Sequence, residues 1–102
     1  MFLTQSKNGI PIRLTHERLE HIVRNHPDIV GQENKILETI SVPDYIQEGD
    51  QETKIAVRFY SHTPLTRKFL VVVYREHLYG GFVITSYFTN QPAQWRKILW
   101  KP

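Results

Sequence analysis

The stretch of sequence that decides the fold is FLVVVY, residues 69–74, in which both alternating sets of positions are apolar. Branched and aromatic side chains favour extended backbone, and a strand that is apolar on both sides belongs in the middle of a covered sheet. Segments with a period of two flank it over Thr53–Tyr60 and Phe82–Thr89. The sequence therefore predicts a central strand at Arg67–Arg75 with a neighbouring strand on each side.

The connections between these predicted strands are short. Ser61–Thr66 contains Pro64, and His77–Gly81 ends in a glycine pair, as turns commonly do. Short connections join antiparallel neighbours. A further short strand is expected at Tyr45–Gln47, while Ile10–Leu14 is either a short strand or an extended segment leading into a helix.

Two helices are expected before these strands. Thr15 is a suitable N-cap, Glu17 lies in the first turn where the helix dipole favours a carboxylate, and Pro27 ends the helix after His26. The second helix is expected from about Val30 to Ile40, because apolar residues there follow a helical period.

The predicted fold class is α+β, with two N-terminal helices packed on one face of a three- to four-stranded antiparallel β-meander. The chain has 102 residues, the size of one small domain, so a single domain is expected over residues 1–102. Neither a repeat nor a low-complexity linker interrupts the sequence.

Alternation along the strands assigns side chains to the two faces of this sheet. The helices would cover an apolar face formed by Ile55, Val57, Phe59, Phe82, Ile84 and Phe88. The opposite face would carry Arg58, Tyr60, Thr85 and Tyr87. A guanidinium, two phenols and a hydroxyl are groups that bind phosphate and stack on bases. The alternative is an ordinary solvated sheet face.

Charge is unevenly distributed along the chain. The net charge is +3, but Asp28–Glu52 carries −6 and the remainder carries +9. The segment from His77 to Pro102 has no acidic residue, and its basic residues alternate with Trp95 and Trp100. A basic surface of this kind can face a polyanion, although a solvated tail and a solvated helix face would look the same in sequence.

Composition also excludes several classes of protein. The chain has no cysteine, which removes disulfides, thiolate nucleophiles and cysteine-based metal sites. The apolar run at 69–74 is far shorter than the roughly 18 residues of a membrane span, and the first residues do not resemble a signal peptide. A cytoplasmic protein with no cofactor and no membrane partner is expected.

The five histidines do not predict a metal site. His16, His21 and His26 are five residues apart, which separates neighbours by about 140° around a helix axis, so they cannot converge on one ion. His62 and His77 fall in predicted connections.

Two of these histidines are candidates for other chemistry. His26 continues the apolar stripe of the first helix and would lie at the rim of the core, where a structural histidine is the alternative. His21 faces away from that stripe, beside Glu17 and Arg24. A carboxylate could orient the imidazole and a cation could hold an anionic substrate, but any exposed charged helix face has this composition.

Two segments carry a family resemblance: EHIVRNHP, residues 20–27, and FVITSY, residues 82–87. Together with the order of elements, they resemble the phage-associated branch of the barnase–EndoU–colicin E5/D–RelE superfamily, the BECR-fold nucleases and toxins, over about residues 12–100. The resemblance implies a metal-independent ribonuclease acting as a toxin or as an effector in conflict between phages and bacteria. Carried over by position, it implies catalytic roles for His21, His26, Thr85 and Tyr87.

Charge and strand parity add four substrate-binding candidates, namely Arg24, Arg58, Tyr60 and Arg75. A helix histidine would serve as general base or acid, with Tyr87 or the second histidine as its counterpart. Arg58 or Arg75 would hold the phosphate, Thr85 would donate a hydrogen bond to it, and the product would be a 2′,3′-cyclic phosphate.

The expected partners are an RNA substrate and an acidic antitoxin or immunity protein that covers the Arg58 and Arg75 side. Two alternatives stay open. One is a non-catalytic module that binds RNA through the basic sheet face and its tryptophans, and the other is a protein-interaction module that uses the acidic segment or the polar sheet face.

Overall fold

The structure is a computed structural model that describes residues 1–61 and 67–102. In chain order its elements are β1 (Phe2–Gln5), β2 (Pro11–Leu14), α1 (His16–Asn25), a 3-10 helix (Pro27–Ile29), α2 (Glu33–Ser41), β3 (Tyr45–Glu48), β4 (Lys54–Phe59), β5 (Phe69–His77), β6 (Gly80–Thr89) and β7 (Ile98–Trp100). His62 and Pro64, in the predicted connection at Ser61–Thr66, lie outside the described residues.

The strands form one seven-stranded mixed sheet in the order β1-β2-β6-β5-β4-β3-β7. Neighbouring strands are antiparallel except β2 and β6, which run parallel and pair Ile12 with Gly81 and Arg13 with Phe82. The β2–β6 pair therefore joins the first part of the chain to one of its last strands.

The predicted fold class is wrong in the extent and type of the sheet. The predicted three- to four-stranded antiparallel meander corresponds to β3–β6, but β1 and β2 extend it at one edge and β7 extends it at the other. A β-hairpin also precedes the two helices, so they are not the N-terminal elements. The added strands have only three or four residues, too few for a period of two to be distinctive.

The helices begin and end for local reasons. The Thr15 side chain accepts a hydrogen bond from the Arg18 backbone N–H at 3.0 Å, which caps α1. Pro27 then begins the 3-10 helix, and Gly31 at a φ of 74° lets the chain turn into α2. α2 consequently begins at Glu33 and not at the predicted Val30.

The main core lies between the helices and one face of the sheet, here called the helix face. Buried isoleucines of the helical region pack against buried strand residues of that face. The helical residues are Ile22, Ile29, Ile36 and Ile40; the strand residues are Ile12, Leu14, Ala56, Leu70, Val72, Tyr74, Val83 and Phe88. Ala56 and Tyr74 show that the helices cover the even-numbered side of β4 and β5.

The predicted assignment of β4 to the two faces is therefore reversed. Ile55 and Val57 belong to a second buried cluster on the opposite side of the sheet, here called the open face. Arg58 and Tyr60 lie on the helix side, where α2 and its C-cap residue, Val42, accept hydrogen bonds from them. Tyr60 Oη donates to Glu38 Oε1 at 2.7 Å, and Arg58 donates to the Val42 carbonyl at 2.6 Å.

A bulge in β6 also changes the predicted alternation. Val83 pairs with Tyr74 and Thr85 pairs with Val73, so Ile84 is an extra residue between these pairs. Beyond the bulge the faces exchange, because a shift of one residue moves every following side chain to the other side. Phe88 therefore joins the helix-side core, and its predicted grouping with Phe82 and Ile84 is wrong.

Glu76 ties the β1–β2 turn to the centre of the sheet. Its side chain is 8% exposed and accepts from Lys54 Nζ at 2.6 Å and Asn8 Nδ2 at 2.8 Å through Oε2. Burial alone would raise the pKa of this carboxyl, but hydrogen bonds from Lys54, Ser6 and Asn8 outweigh it and lower the pKa below its usual range.

Glu76→Gln should lower the free energy of unfolding at neutral pH by about 1–3 kcal/mol, since Lys54 loses its charged partner. The folded pKa lies below the unfolded one, so this stabilisation is present above the unfolded pKa and is lost as pH falls through the folded value. In urea unfolding, the difference in unfolding free energy between wild type and Glu76→Gln should narrow as the pH falls below the ordinary pKa of a glutamate, 4.5. The exposed Glu20→Gln is the control, and a gap independent of pH would contradict the prediction.

Candidate active site

A pocket lies where the end of α1 meets the second half of β6. The rings of His26 and Tyr87 are in contact there, with centroids 5.6 Å apart and planes inclined by 32°. The His26 backbone is fixed on both sides, because its N–H donates to the Ile22 carbonyl at 2.8 Å and its carbonyl accepts from the Ile29 N–H at 3.0 Å. The 3-10 helix contacts β6, which keeps this half-buried imidazole against the sheet.

This opening, here called the His26 pocket, has a volume of about 480 Å³. Besides the two rings, its lining includes polar groups from the end of β6 and the residues after it, namely Thr89, Asn90 and Gln91. Arg67, which precedes β5, also lines it. Arg67 is exposed, and the Thr89 hydroxyl accepts from the Gln91 N–H at 3.1 Å. An imidazole, a phenol and a guanidinium thus share one pocket open to solvent.

A second opening, here called the cleft, lies on the open face beneath the β6–β7 loop, residues 90–97. It has a volume of about 460 Å³. Its apolar lining comes from the sheet, namely Ile55, Val57, Val71, Val73 and Ile84. Its polar lining includes Gln47, Asp50, Arg75 and Arg96, and Trp95 also contributes. Tyr87 lines both the cleft and the His26 pocket, so the two openings adjoin.

The β6–β7 loop is held across the open face at two points. The buried Gln47 side chain donates from Nε2 to the Ala93 carbonyl at 2.6 Å. Further along, Arg96 makes a two-pronged contact with Asp50, with both N–O distances 3.2 Å, and the guanidinium lies 4.3 Å from the centre of the Trp95 ring. The hydrogen bond and charge of Arg96 lower the pKa of Asp50 below its usual range.

Arg75 enters the cleft from β5. One terminal nitrogen donates to the Gln51 carbonyl at 2.9 Å. Its Nε is buried and has no hydrogen-bond partner among the described residues. A guanidinium has five N–H donors, and the Gln51 carbonyl accepts from only one terminal nitrogen of Arg75.

The structure brings together three of the eight residues predicted from sequence, and a fourth, Thr85, lies on the same face of the sheet without lining either opening. His26 and Tyr87 meet in the His26 pocket, and Arg75 lines the adjoining cleft. Thr85 pairs with Val73 and shares the open face with Tyr87, two residues along the same strand.

The other four predicted residues lie elsewhere. His21 and Arg24 are exposed on α1 and line a separate shallow depression with other charged residues of that helix. Arg58 and Tyr60 lie against α2, and burial raises the pKa of Tyr60 to about 12. The predicted polar sheet face therefore does not exist as one surface, because the face assignments of β4 and β6 were read from a simple alternation.

Several residues of the two openings were not singled out in the sequence. Arg67 precedes a strand, and Asp50 lies in the β3–β4 turn, where nothing in the local pattern points to a site. Trp95 and Arg96 did carry a signal, since they fall in the acid-free segment from His77 onward. That signal indicated a basic surface and not a wall of a cleft.

Two further observations concern other kinds of site. Within residues 1–61 and 67–102, no group of three or more histidine, aspartate or glutamate side chains is placed to hold a metal ion. Over the same ranges, neither helix combines the length and apolarity needed to cross a membrane.

No protein-family model matches the chain, and no curated protein or solved structure matches it. The resemblance to BECR-fold nucleases therefore stays a prediction. Functional inference rests on the geometry of the His26 pocket and the cleft.

Proposed function

We propose that the protein is a metal-independent endoribonuclease with its active site in the His26 pocket. The observation that carries this proposal is the contact between the His26 and Tyr87 rings beside Arg67, in a pocket open to solvent. RNA contains its own nucleophile, the 2′-hydroxyl. An enzyme without a metal needs only to position the phosphodiester, move two protons and stabilise the charge that develops on phosphorus.

Each of these tasks has a candidate group in the pocket. His26 would take the proton of the 2′-hydroxyl as its oxygen attacks phosphorus, and Tyr87 would give a proton to the departing 5′-oxygen. Arg67 would bind the non-bridging oxygens of the crowded intermediate through charged hydrogen bonds. Thr85, on the same face of β6, is the candidate for a further donor. The products are a 2′,3′-cyclic phosphate and a 5′-hydroxyl.

The charge distribution supports the same substrate. The chain outside Asp28–Glu52 carries +9, which favours approach of a polyanion. We propose a cytoplasmic toxin or phage-conflict effector that an acidic antitoxin or immunity protein silences. Such a partner would cover Arg67 and Arg75 and not Arg58, because Arg58 is engaged by α2.

The proposal is tested by incubating purified protein with a short RNA and with its 2′-deoxy analogue, both in the presence of EDTA. The RNA should be cut and the deoxy analogue should stay intact, since only the RNA has the internal nucleophile. Mass spectrometry should find the 2′,3′-cyclic phosphate. Loss of cleavage in EDTA, or equal cleavage of the deoxy analogue, would overturn the proposal.

A non-catalytic RNA-binding module is the second candidate, and one observation favours it. The Trp95 side chain is 77% exposed, and the Arg96 guanidinium lies over its ring beside the cleft. An exposed indole next to a cation is a common platform for single-stranded nucleic acid. This candidate predicts salt-dependent binding to RNA that stays intact on incubation.

A further inference from the structure

The cleft has the form of a site for a flat apolar group. The floor of the cleft consists of branched aliphatic side chains from three adjacent strands. A sheet presents such side chains as a shallow, even surface. Ile55, Val57 and Val71 are each at least 90% buried, so the packing of the sheet fixes the shape of this floor. Its volume of about 460 Å³ falls in the range of small-molecule sites, roughly 300–1,000 Å³.

The opposite wall is fixed before any ligand arrives. Gln47 and Asp50 hold the β6–β7 loop at Ala93 and Arg96, at either side of Trp95. A wall held in place in this way loses little conformational entropy when a ligand binds.

The polar groups of the cleft complement the edge of a heterocycle. Arg75 lines the cleft, and the Gln51 carbonyl uses only one of its terminal nitrogens. A guanidinium donates to the ring nitrogens and carbonyl oxygens that nucleobases present. Trp95, at the same opening, can stack on the ring face of such a group.

We infer that the cleft binds a nucleobase, specifically the base of a nucleotide that adjoins the phosphodiester held in the His26 pocket. The continuity of the two openings at Tyr87 favours this occupant over an unrelated small molecule, because a base in the cleft is then tethered to a phosphate in the pocket. The inference rests on the proposed ribonuclease function.

The experiment measures binding without cleavage. The protein has two tryptophans, so Trp100→Phe leaves Trp95 as the single indole reporter. This variant is titrated with the four 2′-deoxy homodinucleotides, which lack the attacking hydroxyl, and with 2-deoxyribose 5-phosphate, which lacks a base. The dinucleotides should quench Trp95 fluorescence with saturation and bind at least about tenfold more tightly than the sugar phosphate.

A cleft-filling variant tests the location. Val73 is half-buried and lines the cleft, so Val73→Phe should place its ring where the base would lie and weaken dinucleotide binding at least about tenfold. Val42→Phe adds the same ring at a residue that is 50% exposed and does not line the cleft, and it should bind like the parent. Arg75→Met needs no added volume and should remove any preference among the four dinucleotides.

The outcomes separate this inference from the proposed function. Cleavage of RNA by wild type, together with equal binding of the sugar phosphate and the dinucleotides, overturns the inference and leaves the ribonuclease proposal standing. Base-dependent binding without RNA cleavage overturns the ribonuclease proposal. If Val73→Phe binds the dinucleotides as tightly as its parent and Arg75→Met keeps the same preference among them, the nucleobase binds outside the cleft and the inference is overturned.

Discussion

Replacing His26 with alanine should lower the rate of RNA cleavage by about 10²- to 10⁴-fold, the usual contribution of a positioned proton-transfer group. The imidazole is half-buried and contacts Tyr87, and its backbone bonds to Ile22 and Ile29 do not depend on the side chain. The fold should therefore persist, as circular dichroism and urea unfolding would show. Cleavage is measured on a short RNA in EDTA.

The sequence supplies a matched control for this substitution. His21 lies five residues earlier, is exposed on α1, and lines a depression that shares no residue with the His26 pocket. His21→Ala should leave the rate unchanged. An equal loss in both variants would remove His26 from its proposed role.

Tyr87 gives a second check on the same site. Tyr87→Phe keeps the ring contact with His26 and removes the proton donor. If the two residues act as a pair, the His26→Ala/Tyr87→Phe double variant should be only slightly less active than the less active of the two single variants. Strictly additive losses would show that they act independently.

Gly81→Ala should lower the free energy of unfolding by about 3 kcal/mol, the upper part of the usual cost of overpacking. A Cβ at Gly81 would collide with the Arg75 carbonyl oxygen and lie 2.7 Å from Ile12 Cδ1. Arg75 belongs to β5, which pairs with β6 on one side, and Ile12 belongs to β2, which pairs with it on the other. The added methyl group would therefore force the backbone of β5 away from β6 and displace the end of the Ile12 side chain. Urea unfolding measures the effect.

Gly31→Ala is the control for this substitution. Nothing lies within 4 Å of a Cβ at Gly31, and only its φ of 74° opposes the change. The cost should be about 1 kcal/mol, from backbone strain alone. Equal costs at the two glycines would mean that close packing around β6 does not limit Gly81.

The central strands were predictable because their signal is strong and local. FLVVVY at 69–74 and its neighbours are long enough for a period of two to stand out, and β4–β6 occupy those segments. β1 and β7 were not predicted, and the segment of β2, Ile10–Leu14, was left open between a short strand and an extended segment. Each has three or four residues, and β2 is a strand of this sheet because of pairing with Gly81 and Phe82, far along the chain.

The assignment of side chains to faces failed for two separate reasons. On β4, the small side chain of Ala56 faces the helices and allows them to approach, while α2 supplies acceptors for Arg58 and Tyr60. Neither fact is visible in the alternation of β4 itself. On β6, the extra residue Ile84 reverses the faces beyond it.

Only the part of the candidate site that lies in local sequence motifs was predicted. His26 and Tyr87 were identified by the two segments that carry the family resemblance, and the structure places their rings in contact. Arg67 and the β6–β7 loop complete the two openings, but they lie in connecting segments. The path of the β6–β7 loop across the sheet depends on its hydrogen bonds with Gln47 and Asp50.

The parallel pairing of β2 with β6 has a consequence for synthesis in the cell. β2, at Pro11–Leu14, is translated well before the strand it pairs with, β6, which begins at Gly80. The β1–β2 hairpin cannot pair with β6 until β6 has left the ribosome. Pairings between strands so far apart in sequence slow folding. His26 and Tyr87 likewise meet only after β6 has emerged, so the His26 pocket is assembled only once the chain has been made through Thr89.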